Sequence, residues 1–246
     1  MREILADLVA EQQALDQMLQ RAPDRDWKRD TPADGWSVQD TISHLAATEE
    51  RALRALTGDS RLQAEVDAAG GIDAYNASGV EQGRSKRPQE IIEWWRHSRA
   101  AVVEALSRAP HQARVRWYAG PMSARTFATT RLMETWAHGL DIVAALGREV
   151  PDTARLRHIA WLGWKTLPYA FARAGEEYPA PIRVELVGPG YARWVFGPEE
   201  SDQVVRGQAA DWCRLVVTRL PQAQAKNLIA VGEVAATTLR VARAHV

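Results

Sequence analysis

Residues 131–141, "RLMETWAHGLD", place Glu134, His138 and Asp141 at helical spacings of i, i+4 and i+7. All three side chains therefore leave one face of a helix. Over 124–146 the wheel puts Leu132, Trp136, Leu140, Val143 and Leu146 on one side and this polar stripe on the other, with Arg131 at its edge. A wet stripe on an amphipathic helix accounts for that much, and Arg131 is then a solvated arginine. The same stripe also suits a ligand set aimed into a helical bundle, where Arg131 would balance the carboxylates.

His44 shifts the balance. It falls on a helix predicted from about 38 to 57, with Thr41, Thr48 and Ala55 on its stripe. Small uncharged neighbours suit a cavity wall better than an outer face. Two His and one carboxylate form a catalytic metal set that leaves a coordination position open. With i and i+4 ligands on one helix, a single ligand from a facing helix completes the triad.

Working outward, 3–20 reads as a first helix with Ile4, Leu8, Leu15 and Leu19 on its apolar stripe. Ser37 is the expected N-cap of the second helix, with Asp40 as its acidic partner. Residues 57–88 are small, polar and Gly-rich, and read as a long irregular connection. Helices over about 89–108 and 124–146 complete a four-helix bundle, with Ser123 as N-cap and Gly147 as terminator of the last. Trp94 and Trp95 are candidates for lining an entrance beside the Gly-rich segment.

Beyond Pro151 the pattern changes. "TARLRHIAWLGWKTLPYAFARA" reads as helix, and "IRVELVG" and "ARWVFG" as a hairpin split by "PGY". "QAADWCRLVVTRL" and "NLIAVGEVAATTLRVARA" return to helical patterning. The expectation is an α+β chain: a bundle over 1–150, then a small α+β domain over 151–246.

Two stretches carry a family resemblance. "DGWSVQDTISHLAATEERAL" and "GPMSARTFATTRLMETWAHGLDIVAALG" resemble the mycothiol-dependent maleylpyruvate isomerase-like branch of the DinB/YfiT-like metalloproteins. The matching residues are Trp36, Ser37, Asp40, His44 and Leu45, then Glu134, His138 and Asp141. "VVRGQAADWCRLVVTRL" resembles, more loosely, a helix of the α+β domain that members often add. The resemblance implies a divalent metal, most often zinc, held by His44, Glu134 and His138. Asp141 is expected to hold a ligand histidine rather than to bind the ion.

Two neutral imidazoles and one carboxylate leave Zn²⁺ with one formal positive charge, which favours an anionic fourth ligand. The motif offers no cysteine, so a thiol must come from outside, and the resemblance implies mycothiol or another small thiol. It also implies isomerisation of, or thiol transfer to, a small electrophile. An arginine of the second domain is expected at the reaction, Arg219 as catalytic candidate and Arg206 as cofactor-binding candidate. A metal-dependent hydrolase and a non-catalytic metal-binding protein are the alternatives.

Composition bounds the rest. The 246 residues carry 31 basic and 31 acidic side chains, so no global field draws in nucleic acid or an anionic membrane. No apolar run is long enough for a membrane span, and the N-terminus lacks the signal-peptide pattern, so a cytoplasmic location is expected. Cys213 is the one cysteine, which excludes an internal disulfide, and its apolar helix makes it a core residue. P-loop, Rossmann and Ser-His-Asp signatures are absent. His97, His111 and His245 join no constellation, whereas His158 is an inward candidate. The expected partners are a small substrate and a thiol, on a monomer or homodimer.

Overall fold

The computed structural model describes residues 1–118 and 120–244, and the fold is α+β. The chain forms two compact units, Met1–Val150 and Pro151–Val246.

Four long helices frame the first unit: α1 (Arg2–Gln20), α2 (Val38–Leu56), and, after two shorter helices, α5 (Pro88–Arg108) and α6 (Ala124–Leu146). They bury their apolar stripes against one another. Leu15, Leu19, Ile42, Leu45, Ile91, Trp95 and Ile142 meet in the core, together with Trp27 from the turn after α1. Ser37 and Asp40 form a capping box at the start of α2. Its hydroxyl accepts from the Asp40 amide at 3.2 Å while the Asp40 carboxylate accepts from the Ser37 amide at 2.9 Å. Gly147 ends α6 in a left-handed conformation, φ 59°.

Residues 57–88 are not the irregular connection expected. They hold α3 (Leu62–Ala69) and α4 (Ile72–Arg84). The glycines that suggested a loop serve close packing. A Cβ on Gly79 would lie 2.5 Å from Ala47 Cβ, and one on Gly83 1.8 Å from Ser43 Oγ. The backbone of α4 therefore lies directly on α2, with Arg51 donating across the contact to Tyr75 O at 2.7 Å. Trp95 is likewise no entrance residue: it is fully buried in the core. Trp94 is half-buried and donates its indole N–H to Glu50 at 2.7 Å.

Between α5 and α6 lies a short antiparallel pair, β1 (Arg114–Val115) and β2 (Met122–Ser123). Ser123 caps α6 through the Thr126 amide.

The second unit begins with α7 (Leu156–Lys165) and α8 (Leu167–Ala174), one expected helix broken at Thr166 before Pro168. The hairpin is β3 (Arg183–Val187) against β4 (Arg193–Phe196), antiparallel. Two further strands contradict the helical reading of their segments: β5 (Val204–Gln208), before α9 (Ala209–Val216), and β6 (Leu228–Val231), before α10 (Glu233–Val241). The sheet order is β4-β3-β5-β6, with β3 and β5 parallel. Val184, Leu186, Trp194, Val205 and Leu228 point into the core, while Val187, Val195, Ile229 and Val231 are exposed on the other face.

Candidate metal centre

The segment before α2 sets the first histidine. Thr31 and Trp36 close a short loop, with the Thr31 amide donating to Trp36 O at 2.8 Å, and the Val38 amide reaches Arg29 O. The capping box then fixes where α2 starts. Two turns in, His44 points inward and is 5% exposed. Thr41 and Thr48 flank it, also buried.

From α6, Glu134 and His138 meet it. The ligand atoms of His44, Glu134 and His138 all lie within 4.8 Å of one another. Both imidazoles turn Nε2 to the same oxygen, Glu134 Oε2, His44 at 3.8 Å and His138 at 3.6 Å. These separations are too long for hydrogen bonds, and they leave three converging lone-pair donors. Asp141, one turn further on, is 2% exposed and its Oδ2 lies 3.2 Å from His138 Nδ1. A proton on Nδ1 satisfies that contact and leaves the Nε2 lone pair available to an ion.

The charges are set by burial and by one another. Burial pushes the His44 imidazole down to about 4, with the charge of Arg131 acting the same way against Glu134. His44 is thus neutral at physiological pH, as a ligand must be. Burial would raise Glu134, but the two imidazoles and the Arg131 guanidinium outweigh it and hold the carboxylate well below its usual range. His138 is buried too, yet Asp141 and Glu134 raise it.

Aromatic rings wall the cluster. Trp36 lies 4.9 Å from His44 and 5.9 Å from His138, centroid to centroid. Arg131 is not the solvated arginine of the amphipathic reading. It is 3% exposed, and its guanidinium lies 5.3 Å from the Trp117 ring and 5.7 Å from Phe127. Trp117 sits in the β1–β2 connection with its ring 4.0 Å from that of Tyr118 at a tilt of 31°, and burial pushes the Tyr118 hydroxyl up to about 12.

Four expected site residues are therefore brought together: His44, Glu134, His138 and Asp141. Arg206 and Arg219 belong to the second unit. Arg206 is half-exposed on the sheet and donates to Glu185 Oε2 at 2.8 Å, and Arg219 donates to Val217 O at 2.9 Å. Cys213 is fully buried and its thiol, pushed well up by burial, donates to Leu156 O, as expected of a core residue. His158 is half-buried, His97 and His111 are exposed, and His245 lies outside the described residues. Sequence reasoning overlooked Glu49, which is fully buried on α2. Its signal was positional: it follows Ile42 by seven residues and Leu45 by four, on the apolar stripe.

The family described as "Mycothiol maleylpyruvate isomerase N-terminal domain" matches residues 8–143. Two uncharacterized proteins of Mycobacterium tuberculosis, from strains CDC 1551 / Oshkosh and ATCC 25618 / H37Rv, are each 39% identical over 242 residues, spanning 98% of this chain and 94% of theirs. Two crystal structures share the fold: a mycothiol-dependent maleylpyruvate isomerase and its histidine-to-alanine mutant. Each superposes with TM-score 0.60 over 93% of this chain and 92% of its own, at 19% and 17% identity respectively.

Proposed function

Because the chain belongs to the mycothiol maleylpyruvate isomerase N-terminal domain family, we propose that it is a divalent-metal enzyme which activates a small thiol, mycothiol first among them. The thiol would attack a small electrophilic substrate, leading either to isomerisation or to thiol transfer. One observation carries the reading: two imidazole nitrogens, turned to a single oxygen of Glu134, form an inward-facing ligand set with all its donor atoms within 4.8 Å. The two-His-one-carboxylate set suits zinc and leaves a coordination position open.

His44, Glu134 and His138 are the proposed ligands. Bound there, the ion would supply a Lewis-acid centre with one residual positive charge, favouring the ionised form of an incoming thiol. Neutral His44 offers its lone pair without losing a proton first. Asp141 accepts from His138 Nδ1 and keeps that ring in the ligating tautomer. Trp36 covers both imidazoles and keeps bulk water from that side. In an isomerisation, the thiol adds to one carbon of a substrate double bond, the resulting single bond rotates, and elimination returns the thiol. No oxidant or reductant is needed. In the second unit Arg219 is the proposed catalytic arginine and Arg206 the proposed cofactor-binding one, both supported by the resemblance.

Metal content tests the ligand assignment. The purified protein is expected to hold one zinc-class ion per chain and His138→Ala to lose it, whereas a stoichiometric ion in His138→Ala would refute the assignment. A thermal-shift titration with mycothiol then separates the thiol enzyme from its rivals. Stabilisation by mycothiol supports it, and metal-dependent ester or amide cleavage without any thiol effect points to a hydrolase.

A further inference from the structure

Glu49 is the buried charge that the proposed chemistry leaves unused. It is 0% exposed, and neither carboxylate oxygen has a hydrogen-bond partner among the described residues. Burial pushes it up to about 7, against the pull of Arg131, with Glu134 adding to the rise. An unpaired carboxylate in a bundle core is expensive, and Gln or Leu would fit the position at lower cost. A residue that breaks the local rule this plainly calls for a compensating role.

Arg131 is its counterpart. The guanidinium is buried, and neither Nε nor Nη1 has a hydrogen-bond partner among the described residues. Its positive charge acts on Glu49, on Glu134 and on His44 alike. One guanidinium thus stands in the field of two buried carboxylates. Glu134 faces the imidazoles, and Glu49 lies on the opposite helix, five residues past His44. No hydrogen bond ties Arg131 to either, so the coupling is through space, in an interior where charges are weakly screened.

We infer that Glu49 is a positioning residue of the metal centre, which offsets Arg131 so that the ligand cluster presents a net negative charge to a divalent ion. With Glu49 ionised, Glu134 and Glu49 against Arg131 leave one negative charge, whereas without Glu49 these groups are neutral; Asp141 at His138, and Arg99 with its partner Asp16, are the same in both counts. Arg131 in turn stands against the mutual repulsion of the two carboxylates. The inference rests on the metal-binding reading above.

The test is zinc affinity of the full chain, by competition with a chromogenic chelator. Glu49→Gln keeps the size and removes the charge, and should weaken zinc binding about 10–100-fold while the helical circular dichroism is retained. The double variant Glu49→Gln/Arg131→Met removes both charges and should restore affinity to within about threefold of wild type, which a merely structural Glu49 would not do. Arg131→Met alone should bind zinc at least as tightly as wild type. Wild-type affinity in Glu49→Gln, or no recovery in the double variant, overturns the inference. Should Glu49→Gln not fold, Arg131→Met decides: equal or tighter binding supports the inference and weaker binding overturns it. If the wild-type chain takes up no zinc, the metal reading fails and the inference with it. If the wild type binds and Glu49→Gln is unchanged, only the inference fails.

Discussion

His138 is held from two directions, with Asp141 on Nδ1 at 3.2 Å and Glu134 facing Nε2 at 3.6 Å. An ion bound between His138 and Glu134 would replace only the second contact. Asp141→Asn should therefore keep the fold and lower metal affinity about 10–100-fold, because an amide holds the Nδ1 proton less firmly than a carboxylate. Isothermal titration with zinc reads this directly, and an unchanged affinity would make Asp141 a structural residue only. The pairing of Glu134 with His138 was legible in the sequence, since i, i+4 spacing fixes a shared face whatever the surroundings, whereas His44 on α2 was brought to it by its small neighbours and the family resemblance. The burial of Arg131 was not legible. A helical wheel of α6 sees one helix, whereas the Trp117 ring that covers the guanidinium comes from the β1–β2 connection. Glu49 was readable as a charge on an apolar stripe, but that it has no hydrogen-bond partner among the described residues appears only once α2 and α6 face each other.

Among the elements, α4 shows why composition misled. Gly79 and Gly83 read as loop residues, yet they are what allows a helix to lie against α2. Gly83→Ala gains up to about 1 kcal/mol in helix propensity. It also drives a methyl to 1.8 Å from Ser43 Oγ, and overpacking of this kind costs about 1–3 kcal/mol. Net destabilisation is expected in chemical denaturation, and a stabilised variant would show that α4 can move off α2. The α1–α5 contact carries a second prediction. Asp16 is buried between the guanidinium groups of Arg96 and Arg99. Burial would raise its carboxyl, but the Arg96 and Gln20 hydrogen bonds and both arginine charges hold it below its ordinary value of 3.8. With the folded value below the unfolded one, the pair's contribution is present above pH 4 and disappears as the pH falls through the lowered folded value. Asp16→Asn should cost about 3 kcal/mol at neutral pH. The gap to wild type should narrow only in strong acid, and a gap independent of pH would exclude the ionic origin.

For the molecule as a whole, the α+β class and the hairpin of the second unit followed from period-two alternation, whereas β5 and β6 were missed. "VVRGQ" runs directly into α9, and a single glycine, Gly232, separates "LIAV" from α10, so both short patterns merged with the helical ones that follow. Among the described residues no helix is long and apolar enough to cross a membrane. With 31 basic and 31 acidic side chains the chain has no net charge, and the buried ionisable cluster of α2 and α6 is a local feature. The central claim is that it activates a small thiol on a metal. The direct measurement is the absorption spectrum of the cobalt-substituted protein titrated with mycothiol. A sulfur-to-cobalt charge-transfer band growing in the near ultraviolet, saturating at one thiol per chain and absent in His138→Ala, is the predicted result. A spectrum that mycothiol leaves unchanged while cobalt stays bound would contradict it.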